Sequence, residues 1–233
     1  MKKTRKILLM AACAVLLVCI SVGATVAYLT STDSVTNTFT VGNIQIKLDE
    51  AATNTAGEPL KLIKDEQGNV TESEVVENVA DATRVKANVY KLMPGHEYTK
   101  DPTIRVAEGS ENCYLFVKVD NQITAIEKAG TTTIAKQMEN NGWVALTGAN
   151  NATNVYYLTT KTENGTVVAK LDNANTNPVV FEKFVLADDA DTTNANANYA
   201  TKKVTVTAYA VQADGFDDAK AAWDATFGAP SNP

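Results

Sequence analysis

Between Cys113 and Asp120 the side chains alternate without a break. Cys113, Leu115, Val117 and Val119 fall on one face, and Tyr114, Phe116, Lys118 and Asp120 on the other. A period of two with β-branched and aromatic residues predicts a half-buried β-strand. A strand with one apolar face needs pairing partners and a second layer to cover it. Candidates lie on both sides of it. Phe39, Val41, Ile44, Ile46 and Leu48 form an apolar series whose phase shifts at Gly42, as at a bulge or bend. Leu60 to Ile63 and Thr103 to Val106 are further short strands, Val85 to Tyr90 leads into a turn at Pro94-Gly95, and residues 51–59 read as a polar loop. Residues 64–82 read as an acidic insertion with a turn at Gly68-Asn69. Residues 143–146 and 155–158 predict a hairpin across an Asn-rich turn, after a short helix around Ile134 to Met138. Val204 to Val211 is apolar on both faces near its end, which predicts a central strand.

The close of the chain changes period. Phe216, Ala219, Trp223 and Phe227 recur at helical spacing, with Asp214 as the expected cap and Gly228 with Pro230 as the stop. Trp223 reads as a core anchor. About eight to ten strands with turns at short intervals, and no βαβ rhythm, predict a mainly β protein. The expected architecture is an antiparallel β-sandwich with loop insertions and a C-terminal amphipathic helix.

The start of the chain predicts where it goes. Lys2, Lys3, Arg5 and Lys6 precede an uncharged apolar run from Ile7 to Val22, and small residues lead to Ala27. This is the layout of a secretory signal peptide over residues 1–27, cut between Ala27 and Tyr28. The alternative is an uncleaved membrane anchor. One domain then spans residues 28–233. Without the four basic residues of the leader, 17 of the 21 Lys and Arg remain against 27 Asp and Glu. Such an acidic chain is a poor partner for nucleic acid, which needs clustered cations. Cys13 and Cys19 leave with the leader, and Cys113 alone cannot form an intrachain disulfide. It reads as a small buried hydrophobe.

Residues 23–48 carry a more specific pattern. A small-residue run ends in Ala27, Tyr28 is followed closely by Thr30 and Asp33, and then comes Asn37-Thr38-Phe39-Thr40-Val41-Gly42-Asn43-Ile44-Gln45-Ile46. A second stretch reads Leu92-Met93-Pro94-Gly95, with Lys100-Asp101 five residues on. Together they resemble the TasA/camelysin family of exported proteins of Gram-positive bacteria. The resemblance implies a jelly-roll-like sandwich, and cleavage of the leader by a SipW-type signal peptidase. It also implies a secreted protein of biofilm matrix fibres, with Pro94, Gly95, Lys100 and Asp101 as the family turn motif.

Camelysins have been regarded as metalloproteases, so a catalytic site is the sharpest alternative. A zinc protease needs a ligand set such as two His one helical turn apart with a Glu base. The chain has one histidine, His96, which reads as a turn residue after Pro94-Gly95. It has no G-x-S-x-G and no Gly-rich phosphate loop. No enzyme, cofactor or metal is expected. Asp188, Asp189 and Asp191 offer oxygen ligands of the kind calcium accepts, but lack a full calcium loop and read as a solvated acidic loop. Lys100 and Asp101 read as a solvated charge pair, with a subunit contact as the alternative.

The expected function is therefore structural: a secreted, extracellular or cell-surface subunit that joins itself or related matrix subunits head to tail. The segment around Phe39, Val41, Gly42, Ile44 and Ile46 would lend its backbone to a neighbour's sheet once the leader is cut. Membrane contact is expected only through the leader. The alternatives are a membrane-anchored surface binding module and a camelysin-type protease.

Overall fold

The structure, a computed structural model, describes residues 44–161, 167–168, 170–171, 177–192 and 199–228. The leader, the cleavage position at Ala27 and Tyr28, and Phe39, Val41 and Gly42 lie outside the described residues. In chain order the strands are β1 (Ile46–Ala51), β2 (Leu60–Lys64), β3 (Val70–Val75), β4 (Arg84–Val85), β5 (Glu97–Thr99), β6 (Thr103–Val106) and β7 (Cys113–Asn121). Helix α1 (Ile134–Asn140) precedes β8 (Trp143–Ala145), β9 (Val155–Leu158), β10 (Thr160–Lys161), β11 (Val167–Val168) and β12 (Lys170–Leu171). The chain then forms β13 (Lys183–Val185), β14 (Val204–Gln212) and α2 (Ala219–Phe227). The fold is mainly β, and among the described residues every strand pair is antiparallel.

β7 organises the larger sheet. β14 pairs with its whole length, from Val204 opposite Asn121 to Gln212 opposite Cys113. Along the other edge run β12 and β9, and β8 follows β9. The opposing layer holds β4-β1-β6, with β13 beside β5. Residues 178–182 continue β13 along the chain between β5 and β6, through Ile104 N–H to Pro178 O and Lys100 N–H to Glu182 O. Cys113, Leu115, Val117 and Val119 share one core with Tyr98, Ile104, Val106 and Phe184 from this layer. Cys113 is buried, and burial pushes its thiol up to about 11, so it remains a protonated core side chain.

Three expectations change here. β7 is buried on both faces from Cys113 to Val117, because Tyr114 and Phe116 lie in a second core under α2 with Trp223, while Lys118 and Asp120 on that face stay exposed. β14 pairs with β7 alone among the described strands, so it lies at the edge of the described sheet, not at its centre. Its two apolar faces serve two layers: Val204, Val206, Ala208 and Ala210 turn toward the sandwich core, and Tyr209 and Val211 toward α2. The helix is capped by Asp218, whose carboxylate accepts from Ala221 N–H, and not by Asp214. Phe216 therefore precedes the helix and packs against the second core from the loop.

The stretch expected as a polar loop and insertion contains regular structure. β1 runs on to Ala51, and β2 pairs with β3 in a hairpin turned at Gly68. Asp65 closes that turn by accepting from the N–H groups of Gln67 and Asn69. Every residue of β3 is exposed.

Trp223 anchors α2 as expected. Its indole donates to Asn150 O at 2.9 Å, and its rings meet Phe116, Tyr209 and Phe227. Trp223→Ala removes this buried volume, and the loss of stability is expected to be about 3–5 kcal/mol in urea unfolding. A loss below about 1 kcal/mol would mean that α2 does not hold the second core.

Candidate functional site

The sequence Leu48-Asp49-Glu50-Ala51 carries two acids into the buried end of β1. They survive there because β4 and the segment between β5 and β6 bring cations to them. Arg84, on β4, donates from Nε to Asp49 Oδ1 at 2.8 Å and from Nη1 to Asp101 Oδ2. Its Nη2 reaches the main-chain oxygens of Asp49 and Asp101 at 2.9 and 3.1 Å. Asp101 Oδ1 in turn accepts from Ala51 N–H at 2.6 Å. Lys100 Nζ lies 2.6 Å from Glu50 Oε2. One guanidinium thus ties three segments together, and a parallel Lys–Glu pair lies beside it.

Lys100 and Asp101 are accordingly not a solvated pair. Their exposures are 9% and 7%. A charge can be buried when partners of opposite sign and hydrogen bonds meet it there, and both residues have them. Burial alone would push the Asp49 carboxyl up, but the hydrogen bonds from Arg84 and Lys47 and the charges of Arg105 and Arg84 hold it below its ordinary value of 3.8. A carboxyl lowered by folding contributes stability above its unfolded-state value of about 3.9 and loses it as pH falls through the lower folded value. The urea midpoint is expected to drop on acidification below about pH 4, and Asp49→Asn to flatten that drop. An unchanged slope in the variant would mean that Asp49 is not the titrating group.

Asn88 completes the cluster. Its Nδ2 donates to Glu50 Oε1 and to Ala51 O, each at 2.8 Å, and its Oδ1 accepts from Thr53 N–H at 2.9 Å. Tyr90 packs nearby, with its hydroxyl donating to Thr99 O at 2.9 Å. Neither Asn88 nor the acids of β1 stood out in the sequence. The available signal was two adjacent acids running straight from an apolar strand into Ala51-Ala52.

Glu50 and Lys100 also form part of the wall of a groove of about 830 Å³ between β1 and the start of β14. Leu48, Leu92, Ile123, Phe184, Val204 and Val206 make its apolar lining. Lys86, Lys91, Lys202 and Lys203 line it too and are exposed. Two strand edges border it. β6 pairs with β1 over Ile46 to Asp49 on one side, while on the other side β4 reaches only Glu50 and Ala51. The edge of β14 away from β7 pairs with no strand among the described residues.

The remaining candidates fall elsewhere. Ile44 and Ile46 pack against the chain's own core, and Ile46 pairs with Val106, so this part of the expected assembly strand is already engaged within the chain. Pro94-Gly95 forms a turn with Gly95 at φ 71°, where an added Cβ would lie 2.8 Å from Asp188 Oδ1. Glycine answers both constraints there. His96 Nε2 lies 2.7 Å from Ala56 O and its ring packs edge-on to Tyr98, which makes it a turn-docking residue. Asp188, Asp189 and Asp191 are exposed, and Asp188 pairs with Lys128 at 3.2 Å. Among the described residues no group of three or more His, Cys, Asp or Glu is placed to hold a metal ion. No helix among them is long and apolar enough to cross a membrane. In comparisons with known proteins, the chain matches no family model, no curated protein and no solved structure.

Proposed function

We propose that this chain is a secreted structural subunit of TasA/camelysin type, assembling head to tail into extracellular fibres of a biofilm matrix. In this account a SipW-type peptidase cuts after Ala27. The arm beginning at Tyr28 then adds as a strand to the groove of the next copy. The groove between β1 and β14 carries the proposal, because among the described residues two strand edges lack a strand partner there, above an apolar floor. Strand addition gives affinity through main-chain hydrogen bonds and register through alternate side chains.

The arm suits such a groove. Residues 28–43 include Thr30, Thr32, Val35, Thr36, Thr38, Phe39, Thr40 and Val41, all of high strand preference, and Asp33 is their only charged side chain. Asp33 and the exposed lysines lining the groove are of opposite sign. Because Ile46 to Asp49 already pair with β6, the lent strand lies upstream of Ile44. A donor and an acceptor on different surfaces make a contact that does not close on itself, which yields filaments. A jelly-roll-like connectivity of the strands belongs to the same proposal. Electron microscopy of the processed chain with and without residues 28–38 tests it: fibres are expected only when the arm is present.

A further inference from the structure

Glu50 holds two nitrogens on one carboxylate: Lys100 Nζ on Oε2 at 2.6 Å and Asn88 Nδ2 on Oε1 at 2.8 Å. An ion pair accounts for the first contact but not for the second. A buried amine, a carboxamide and a carboxylate touching both are the parts of an amide exchange. We propose that Lys100 and Asn88 join through an isopeptide bond that the chain forms by itself, with Glu50 as the catalytic residue.

The steps balance. Glu50 Oε2 takes a proton from the Lys100 ammonium, freeing the lone pair of Nζ to attack Cγ of Asn88. Negative charge develops on Oδ1, where Thr53 N–H already donates at 2.9 Å and stabilises it. The Cγ–Nδ2 bond breaks as the Glu50 carboxyl passes that proton on to Nδ2, and a second proton of the attacking nitrogen follows through the same carboxylate, leaving one on the new amide. Nitrogen leaves as ammonium and the Glu50 carboxylate is regenerated. One C–N bond forms and one breaks, so no oxidant, reductant or metal is required.

The surroundings favour this reaction. Lys100 is 9% exposed and Glu50 4%, so water competes little for either. A second hydrogen bond, from Nδ2 to Ala51 O at 2.8 Å, and the one at Oδ1 fix the carboxamide plane, while the shared carboxylate holds Lys100 Nζ beside it. Holding reactants in this way replaces the entropy cost of a bimolecular encounter. The product ties residue 88 to residue 100 across the Pro94-Gly95 turn. It lies on the groove wall but needs no second copy of the chain, so its test is independent of fibre formation.

Intact mass spectrometry of the purified, denatured processed chain tests the bond. The expected mass is lower than that of the sequence by one ammonia, about 17 Da. Tryptic digestion should give a branched peptide joining residues 87–91 to residues 92–105, uncut after Lys100. Glu50→Gln keeps the shape but cannot carry the proton, and its mass is expected at the full sequence value; Lys100→Arg should behave likewise. A wild-type chain at full mass would overturn the proposal, as would an ammonia loss that maps away from Asn88 and Lys100. The wild-type mass and peptide map decide the matter even where a variant fails to fold.

Discussion

Replacing Arg84 with methionine is expected to destabilise the fold by about 3–5 kcal/mol, the range for breaking a buried ion pair by removing one partner. The reason is what remains behind. Asp49 and Asp101 are 3% and 7% exposed, and both receive hydrogen bonds from the same guanidinium. Without it Asp101 keeps Ala51 N–H, and Asp49 keeps Lys47 at 3.1 Å and Arg105 at 3.3 Å, neither of which reaches Asp101. Arg84→Lys retains the charge but not the planar fork that reaches four oxygens at once, so a smaller loss is expected. The exposed Lys136–Glu139 pair serves as the control, because removing it should cost no more than about 1 kcal/mol. Urea unfolding at neutral pH measures all three. A loss from Arg84→Met no larger than that of the control would mean that the network does not hold β1, β4 and residue 101 together.

Deleting residues 28–38 is expected to abolish fibres while leaving a folded monomer. The deletion ends before Ile44, and Ile46 to Ala51 stay paired with β6 and β4, so the sandwich core keeps all of its described members. The urea midpoint should therefore change little. Polymerisation should disappear because the proposed donor is gone while the groove remains. An unfolded product would instead mean that the arm completes its own chain's sheet.

Much of the sandwich could be read from period alone. The alternation of Cys113 to Asp120, the β8–β9 hairpin and the helix around Ile134 depend on neighbours close in sequence, and all three appear where the residues place them. Layering could not be read in the same way. Tyr114 and Phe116 resemble a mixed face until α2, about a hundred residues later, covers them. The same blindness hid the ionic cluster. Lys100-Asp101 resembles any surface pair beside a turn, and only the arrival of Glu50 and Arg84 from distant strands makes burial affordable. Asn88 carried no local signal, since its significance lies in the carboxylate that it shares with Lys100.

Negative-stain electron microscopy of the purified chain beginning at Tyr28, beside the same chain lacking residues 28–38, tests the central claim most directly. Concentrated and acidified toward neutral net charge, where self-repulsion fades, the complete chain should form long unbranched fibres and the shortened one only single particles. Fibres from both chains, or from neither, would contradict an assembly built on the arm.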